Sequence, residues 1–212
     1  MKRGNAVGTA LVAMALMATA AFGATNKEIQ KPTQTASFAT EYGKTLPPMA
    51  YVAFCGRAEG QDECNGKGKN ERLKMTGEVW NQLVQVNNYV NTKIRPATDM
   101  EIYGVPDFWT YPVDTGDCED YQLLKKKYLV GLGINADELL MTVVFDENGE
   151  GHAILTVATD QGDMILDNRR ADILRWDRTG YVFLKRESQV DPKQWVSLRA
   201  NTTQVLVGSK SN

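Results

Sequence analysis

The chain has 212 residues, with 24 Lys and Arg against 26 Asp and Glu, for a formal charge of −2 at pH 7. That length buries a hydrophobic core without relying on disulfide or metal staples. The mild acidity offers no electrostatic footprint for nucleic acid.

Lys2 and Arg3 open the chain, and an apolar run follows from Ala6 to Phe22. Small residues then suit cleavage after Ala20 or a few residues later, the layout of a secretory signal peptide over 1–24. The run is short and interrupted by Gly for a membrane span, which needs about 20 apolar residues. Losing Lys2 and Arg3 removes two positive charges, so the exported form stands at about −4. No later segment reads as transmembrane, and no Cys near the cleavage region suggests a lipid anchor. The expected location is the periplasm or the exterior.

Residues 25–47 are polar, with scattered Pro, Thr and Gln, and read as a flexible lead-in. A domain over 48–200 and a C-terminal tail over 201–212 follow. Met49 to Cys55 reads as a short extended segment. The stretch CGRAEGQDEC then brings Cys55 and Cys64 close enough to pair in an oxidising compartment. Three cysteines in an exported chain leave one over, Cys118, either a reactive thiol or a buried inert one.

Leu73, Val79, Leu83, Val86, Val90 and Ile94 recur at three- and four-residue steps, predicting a helix over 71–94 that Pro96 ends. Residues 98–116 read as an aromatic-rich loop. A second helix is expected from Asp117, capped by Asp117 with Asp120 three residues on, and with Leu124, Tyr128 and Leu132 as its apolar stripe. Gly131 and Gly133 stop it. Strands follow over 139–145, 152–159, 163–167 and 181–187, separated by DENGEG and DQG turns. Helices first and antiparallel sheet second make an α+β fold.

Cys118 falls in the first turn of the predicted helix, where the exposed N–H groups and the dipole favour a thiolate. His152 is the single His of the chain and hence the one available imidazole base; a lone His is also commonly structural. Asp167 ends the next strand. With the turn centred near Asp160 and Gln161, His152 and Asp167 are near cross-strand neighbours, their Cβ atoms roughly 5 Å apart. The carboxylate would then hold the imidazole, and a thiol at a helix start would complete a Cys-His-Asp arrangement for acyl transfer. One His and no CxxC exclude a zinc site, and no Gly-rich phosphate loop precedes a helix.

The stretch DFWTYPVDTGDCEDYQLLKKKYLVGLGI, followed by GHAILTV and MILDN, resembles the bacterial transglutaminase-like cysteine peptidases over residues 48–200. The resemblance implies a papain/transglutaminase-like fold, with N-terminal helices packed on an antiparallel sheet. It places nucleophile, base and orienting acid at Cys118, His152 and Asp167. Gln122 stands where the family has a small residue, and Ala153 where a bulkier one is common. The best-understood branch clips surface adhesins in the periplasm and uses calcium, with acids flanking the Cys that match Asp117 and Glu119. The Cys55–Cys64 pair is not a feature of that branch.

The implied partner is a protein substrate in the envelope or on the cell surface, and not nucleic acid. Peptidase, deamidase and transglutaminase chemistry stay open, as does a non-catalytic module of the same fold that binds protein or calcium. Trp109 and Tyr111 are candidates for the substrate cleft or for the core. Asp114, Asp117, Glu119 and Asp120 crowd the intended thiolate and would raise its pKa. A Ca²⁺ ion held by Asp117 and Glu119 would relieve that conflict, whereas helix capping would account for the acids with no ion.

Overall fold

The computed structural model describes residues 36–57, 61–191 and 193–200. In chain order the elements are β1 (Lys44–Thr45), α1 (Met49–Cys55), α2 (Gln61–Cys64), α3 (Gly77–Lys93), β2 (Arg95–Pro96), α4 (Asp99–Ile102), β3 (Thr115–Gly116) and α5 (Cys118–Gly131). The sheet strands follow: β4 (Leu139–Phe145), β5 (Gly151–Thr159), β6 (Gly162–Asp167), β7 (Arg170–Arg175), β8 (Val182–Glu187) and β9 (Trp195–Ser197). They form a seven-stranded antiparallel sheet in the order β1-β9-β8-β4-β5-β6-β7. The α+β expectation holds: α5 packs on β5, and α3 packs on α5 and on β6–β7. Among the described residues no helix is long and apolar enough to cross a membrane. The expected signal peptide and the C-terminal tail lie outside the described residues.

The main core lies between helices and sheet. Leu83 and Val90 of α3, Leu123 and Leu129 of α5, and Met141, Leu155, Val157 and Leu166 of the strands are its centre. A smaller cluster of Val144, Ile154, Ile165 and Phe183 also involves the sheet, with Trp176 packed against it. Alternation along each strand sends successive residues to opposite faces, so Ile154 and Leu155 join different clusters.

Several sequence expectations need correcting. Met49–Cys55 is a helix, because Tyr51 and Phe54, three residues apart, bury on one helical face. α3 starts later than the periodicity suggested. Thr76 caps it by accepting from the Val79 N–H at 3.2 Å, and Leu73 pairs with Thr159 instead. The 98–116 loop is pinched shut by a short parallel pairing of β2 with β3 and contains α4, where Thr98 and Glu101 form a capping box. The expected stripe on α5 is also wrong at two places: Tyr128 and Leu132 are exposed. α5 lies between α3 and the sheet and so buries residues nearly all round, Gln122, Lys125 and Lys126 included. The lead-in is described from residue 36, and there it is tied on. Ala39 N–H reaches Asp163, Tyr42 N–H reaches the Ser197 carbonyl, and β1 pairs with β9.

Cys55 and Cys64 are disulfide-bonded, with Cα atoms 5.7 Å apart, joining α1 to α2 as their spacing suggested. Cys118 is the free thiol among the described residues.

Candidate active site

Cys118 begins α5, the helix buried at the centre of the fold. The loop before it is sterically tight: a Cβ on Gly116 would fall 2.8 Å from the Asp120 Cβ, so glycine is required there. The Cys118 Sγ receives a hydrogen bond from the Ala153 N–H at 3.4 Å, which joins the helix start directly to β5. His152, the preceding residue on β5, is buried, and its Nε2 lies 2.9 Å from Asp167 Oδ1. Its Nδ1 has no protein hydrogen-bond partner. Cys118 itself opens onto a cleft of about 530 Å³, whose lining includes Pro96, Ala97, Thr98, Asn168 and Arg169.

The His–Asp contact arises in a way slightly different from the expected register. The β5–β6 turn pairs Thr159 with Gly162 and Leu155 with Leu166, so His152 is diagonal to Asp167 rather than opposite it. The β6–β7 register slips between Ile165 and Asp167, a bulge of the kind that re-aims a side chain. Two further groups hold the carboxylate. Arg169 N–H donates to Oδ1 at 3.0 Å, and the Tyr181 hydroxyl donates to Oδ2 at 2.6 Å. Tyr181 also stands edge-on to the His152 ring, with centroids 5.8 Å apart. Burial alone would raise the Asp167 pKa, but the bonds from His152, Arg169 and Tyr181 outweigh it and hold the carboxyl at about 2.

That depression predicts a pH effect. The folded-state pKa lies below the ordinary 3.8. Asp167 therefore stabilises the fold above about pH 4, and its contribution disappears as pH falls through about 2. Urea unfolding of wild type should lose about 2 kcal/mol more between pH 5 and pH 2 than unfolding of Asp167→Asn. Parallel pH dependence in the two proteins would mean that the carboxylate is not held in this way.

The acids before and after Cys118 behave differently from the capping expectation. Asp117 occupies the N-cap position, but its side chain makes no capping hydrogen bond. Asp120 reaches the Thr110 N–H at 2.9 Å instead of closing a capping box. Glu119 accepts from the Cys118 thiol at 3.0 Å. One carboxylate oxygen each of Asp99, Asp117 and Glu119 lie within 4.8 Å of one another. Asp99 Oδ1 and Asp117 Oδ1 are buried without hydrogen-bond partners. Burial first, and then repulsion from Asp99, raises Asp117 to about 6, and burial with repulsion from Asp117 raises Glu119 to about 9. The Cys118 thiol is likewise pushed well above its usual value by burial, with Glu119 adding to it. The dipole advantage expected at the helix start is thus overridden.

The residues fit a hard divalent cation. Oxygens bound to one Ca²⁺ at about 2.4 Å lie at most about 4.8 Å apart, and carboxylates with free buried oxygens are its preferred ligands. Asp99, Asp117 and Glu119 are the groups that would hold it, so the sequence-based pair gains a third member. Asp99 escaped notice because it lies eighteen positions before Asp117, in a segment read as plain loop.

Trp109 and Tyr111 do not line the cleft beside Cys118. Trp109 is in the core, edge-on to Tyr51 at 5.5 Å, and Tyr111 packs on Phe54 at 5.2 Å with Lys127 Nζ 4.0 Å above its ring. Their aromatic surface is worth more in the interior than on a cleft wall. Tyr181 and Arg169 are the neighbours that sequence reasoning missed. Tyr181 precedes β8, which pairs with β4 and not with β6, so no hairpin register connects it to Asp167.

Helices packed against an antiparallel sheet, with a free thiol at the start of the central helix, define a transglutaminase-like thiol hydrolase. Residues 41–203 match the family model described as bacterial transglutaminase-like cysteine proteinase, BTLCP, and the chain belongs to that family of cysteine peptidases. Among solved structures it is similar to Legionella pneumophila LapG, at 29% identity and a TM-score of 0.45, covering 51% of this chain and 63% of that one. Calcium-bound Legionella pneumophila LapG aligns at 26% identity and a TM-score of 0.49, covering 61% and 75%. The EGTA-treated form of the same protein gives 29% and 0.45, covering 51% and 62%. The chain thus spans less than two thirds of the first of these structures. No curated protein matches it.

Proposed function

We propose that this cysteine peptidase is exported and cleaves amide bonds of an envelope or surface protein through Cys118, His152 and Asp167. The observation that carries the reading is the 2.9 Å bond from His152 Nε2 to Asp167, which leaves Nδ1 as the nitrogen available to the thiol. The Cys118 Sγ attacks the substrate carbonyl carbon while its proton passes to Nδ1. Asp167 holds the ring in the required tautomer and stabilises the imidazolium that forms. The Cys118 backbone N–H, unpaired at the helix start, donates to the carbonyl oxygen as it gains charge. Collapse of the tetrahedral adduct breaks the C–N bond, and the imidazolium returns its proton to the leaving amine. Water then attacks the thioester carbonyl, His152 takes its proton, and Cys118 is released with the acid product.

Calcium belongs to the same reading. Bound by Asp99, Asp117 and Glu119, it would supply positive charge at the start of α5. Glu119 would then cease to hold the thiol proton. Export is supported by the Lys2-Arg3 and apolar opening of the sequence and by the Cys55–Cys64 disulfide, which suits an oxidising compartment.

The test is a thiol-directed trap. In the presence of Ca²⁺, a peptidyl vinyl sulfone should modify Cys118 at least about a hundredfold faster than it modifies free cysteine, because a paired base acts on the bound thiol. Peptide mapping locates the adduct. A rate no greater than that of free cysteine would overturn the reading.

A further inference from the structure

The Cys55–Cys64 disulfide takes no part in the reaction described above, yet the loop it closes is bound to the approach to the nucleophile. Cys55 ends α1 and Cys64 ends α2. Side chains on both sides of the bridge grip Phe108 to Tyr111, the segment that leads toward Cys118. Tyr51 stands edge-on to Trp109 at 5.5 Å, and Phe54 edge-on to Tyr111 at 5.2 Å. Arg57 donates to the Trp109 carbonyl, and its guanidinium lies 4.9 Å from the centre of the Phe108 ring. Glu63, the residue before Cys64, accepts from the Tyr111 hydroxyl.

The backbone of the same segment holds the acids around the thiol. The Phe108 N–H donates to Asp99, and the Thr110 N–H donates to Asp120 Oδ1 at 2.9 Å. Asp120 shares the first turn of α5 with Cys118, and an Asp99 oxygen lies within 4.8 Å of oxygens of Asp117 and Glu119. Contacts therefore run without a break from the disulfide, through residues 108–111, to the start of α5. The two ends of the bridge are unequally anchored. Tyr51 donates to Glu187 of β8, which ties α1 to the sheet independently of the bridge. α2 has four residues, far below the roughly 12 that a helix needs to hold by itself, and it carries Glu63.

We propose that the Cys55–Cys64 bridge is a redox-sensitive brace of the active site: reduction by a dithiol releases α2 and Glu63 from α1, slackens residues 108–111 and so displaces the start of α5 that carries Cys118. This rests on the assignment of Cys118 as the nucleophile made above. Cys55 is half-buried and Cys64 buried, so Cys55 is the more accessible end. A thiolate of the dithiol attacks the Cys55 sulfur, and the Cys64 sulfur leaves and takes a proton. The second thiolate then displaces Cys55 and closes the reductant into a cyclic disulfide. Two electrons pass to the bridge, and the two protons of the dithiol end on Cys55 and Cys64. The brace gives the bridge a purpose in a chain long enough to fold around its core without staples. It keeps the peptidase slow in a reducing compartment and makes it fully active where the bridge forms.

The test compares wild type with the double variant Cys55→Ala/Cys64→Ala, in Ca²⁺, without reductant and well below both melting temperatures. The maximal rate of acylation by p-nitrophenyl acetate should fall about tenfold in the variant, with half-saturation little changed, because the thiol is misplaced rather than binding lost. Hydrogen exchange followed by mass spectrometry should run at least about tenfold faster in peptides covering 108–112, with β5 and β6 unaffected. Wild type reduced with dithiothreitol and then freed of it should match the variant, and oxidised glutathione should restore both rate and protection. Tyr111→Phe covers a double variant that does not fold. It keeps the bridge and the ring packed on Phe54 but removes the bond to Glu63, so it should react about threefold more slowly than wild type and lose less on reduction. Wild-type rate and protection in the folded, bridge-free protein would overturn the proposal. So would exchange accelerated equally in every peptide, since the bridge would then stabilise the fold at large. Exchange needs no turnover, so it separates failure of the brace from failure of Cys118 as the nucleophile.

Discussion

Cys118→Ala should lose enzyme-dependent hydrolysis by more than about 10⁴-fold, because no other group in the site can form the acyl intermediate. The fold should survive. Among the described residues the Sγ hydrogen-bonds to Glu119 and to the Ala153 N–H, and α5 is held in place by Leu123, Leu124 and Leu129. Removing one small sulfur from the edge of a cleft costs about 1 kcal/mol or less. His152→Ala should be nearly as damaging, and the double variant no worse than Cys118→Ala alone, since thiol and imidazole act as a unit. The measurement is turnover of p-nitrophenyl acetate alongside circular dichroism and thermal melting. Hydrolysis retained by folded, purified Cys118→Ala would remove the thiol from the mechanism. Additive losses in the double variant would mean that His152 serves another purpose.

The readable part of this molecule was whatever local pattern could specify. Period-two alternation located β4, β5, β6 and β8 to within a residue, and their two-residue turn brought His152 within reach of Asp167. Spacing, together with the expected oxidising compartment, paired Cys55 with Cys64. The failures share a cause: tertiary contacts far apart in sequence. Leu73 fits a helical period, yet it pairs with Thr159 in a bridge no local rule encodes. Sequence leaves Trp109 open between cleft and core, and the contact that decides it comes from Tyr51, on a helix misread as extended. Tyr181 and Asp99 join the site through strand order and loop closure, and both are chosen by the packing of the whole chain. Lys125 and Lys126, two of three consecutive lysines on α5, are buried, which no local pattern specifies.

Chelation should reduce the reactivity of Cys118 at neutral pH about tenfold or more, and added Ca²⁺ should restore it where Mg²⁺ does not. In the ion-free arrangement three effects oppose the thiolate. Burial removes water from it, Glu119 accepts its proton at 3.0 Å, and Asp117 adds repulsion. All three raise the pKa, so at pH 7 the group is a thiol. A divalent cation among Asp99, Asp117 and Glu119 reverses the sign of the nearest charge. An opposite charge within about 6 Å lowers a pKa by one to three units, and each unit is tenfold in thiolate. Mg²⁺ demands closer octahedral geometry and keeps its waters, whereas three carboxylate oxygens spread over 4.8 Å suit the larger ion. Ca²⁺ should also raise the melting temperature, since it binds only the folded cluster. Glu119→Gln supplies the control. The amide matches the neutral acid that Glu119 forms at pH 7 without the ion, its pKa being raised to about 9, but it offers no carboxylate to Ca²⁺, so the variant should react like wild type in chelator and respond less to Ca²⁺. The readouts are the rate of alkylation by iodoacetamide and the melting curve, each in EGTA, Ca²⁺ and Mg²⁺. Identical rates and identical melting in all three would show that the acids bind no ion. The thiolate would then depend on His152 and the helix start alone.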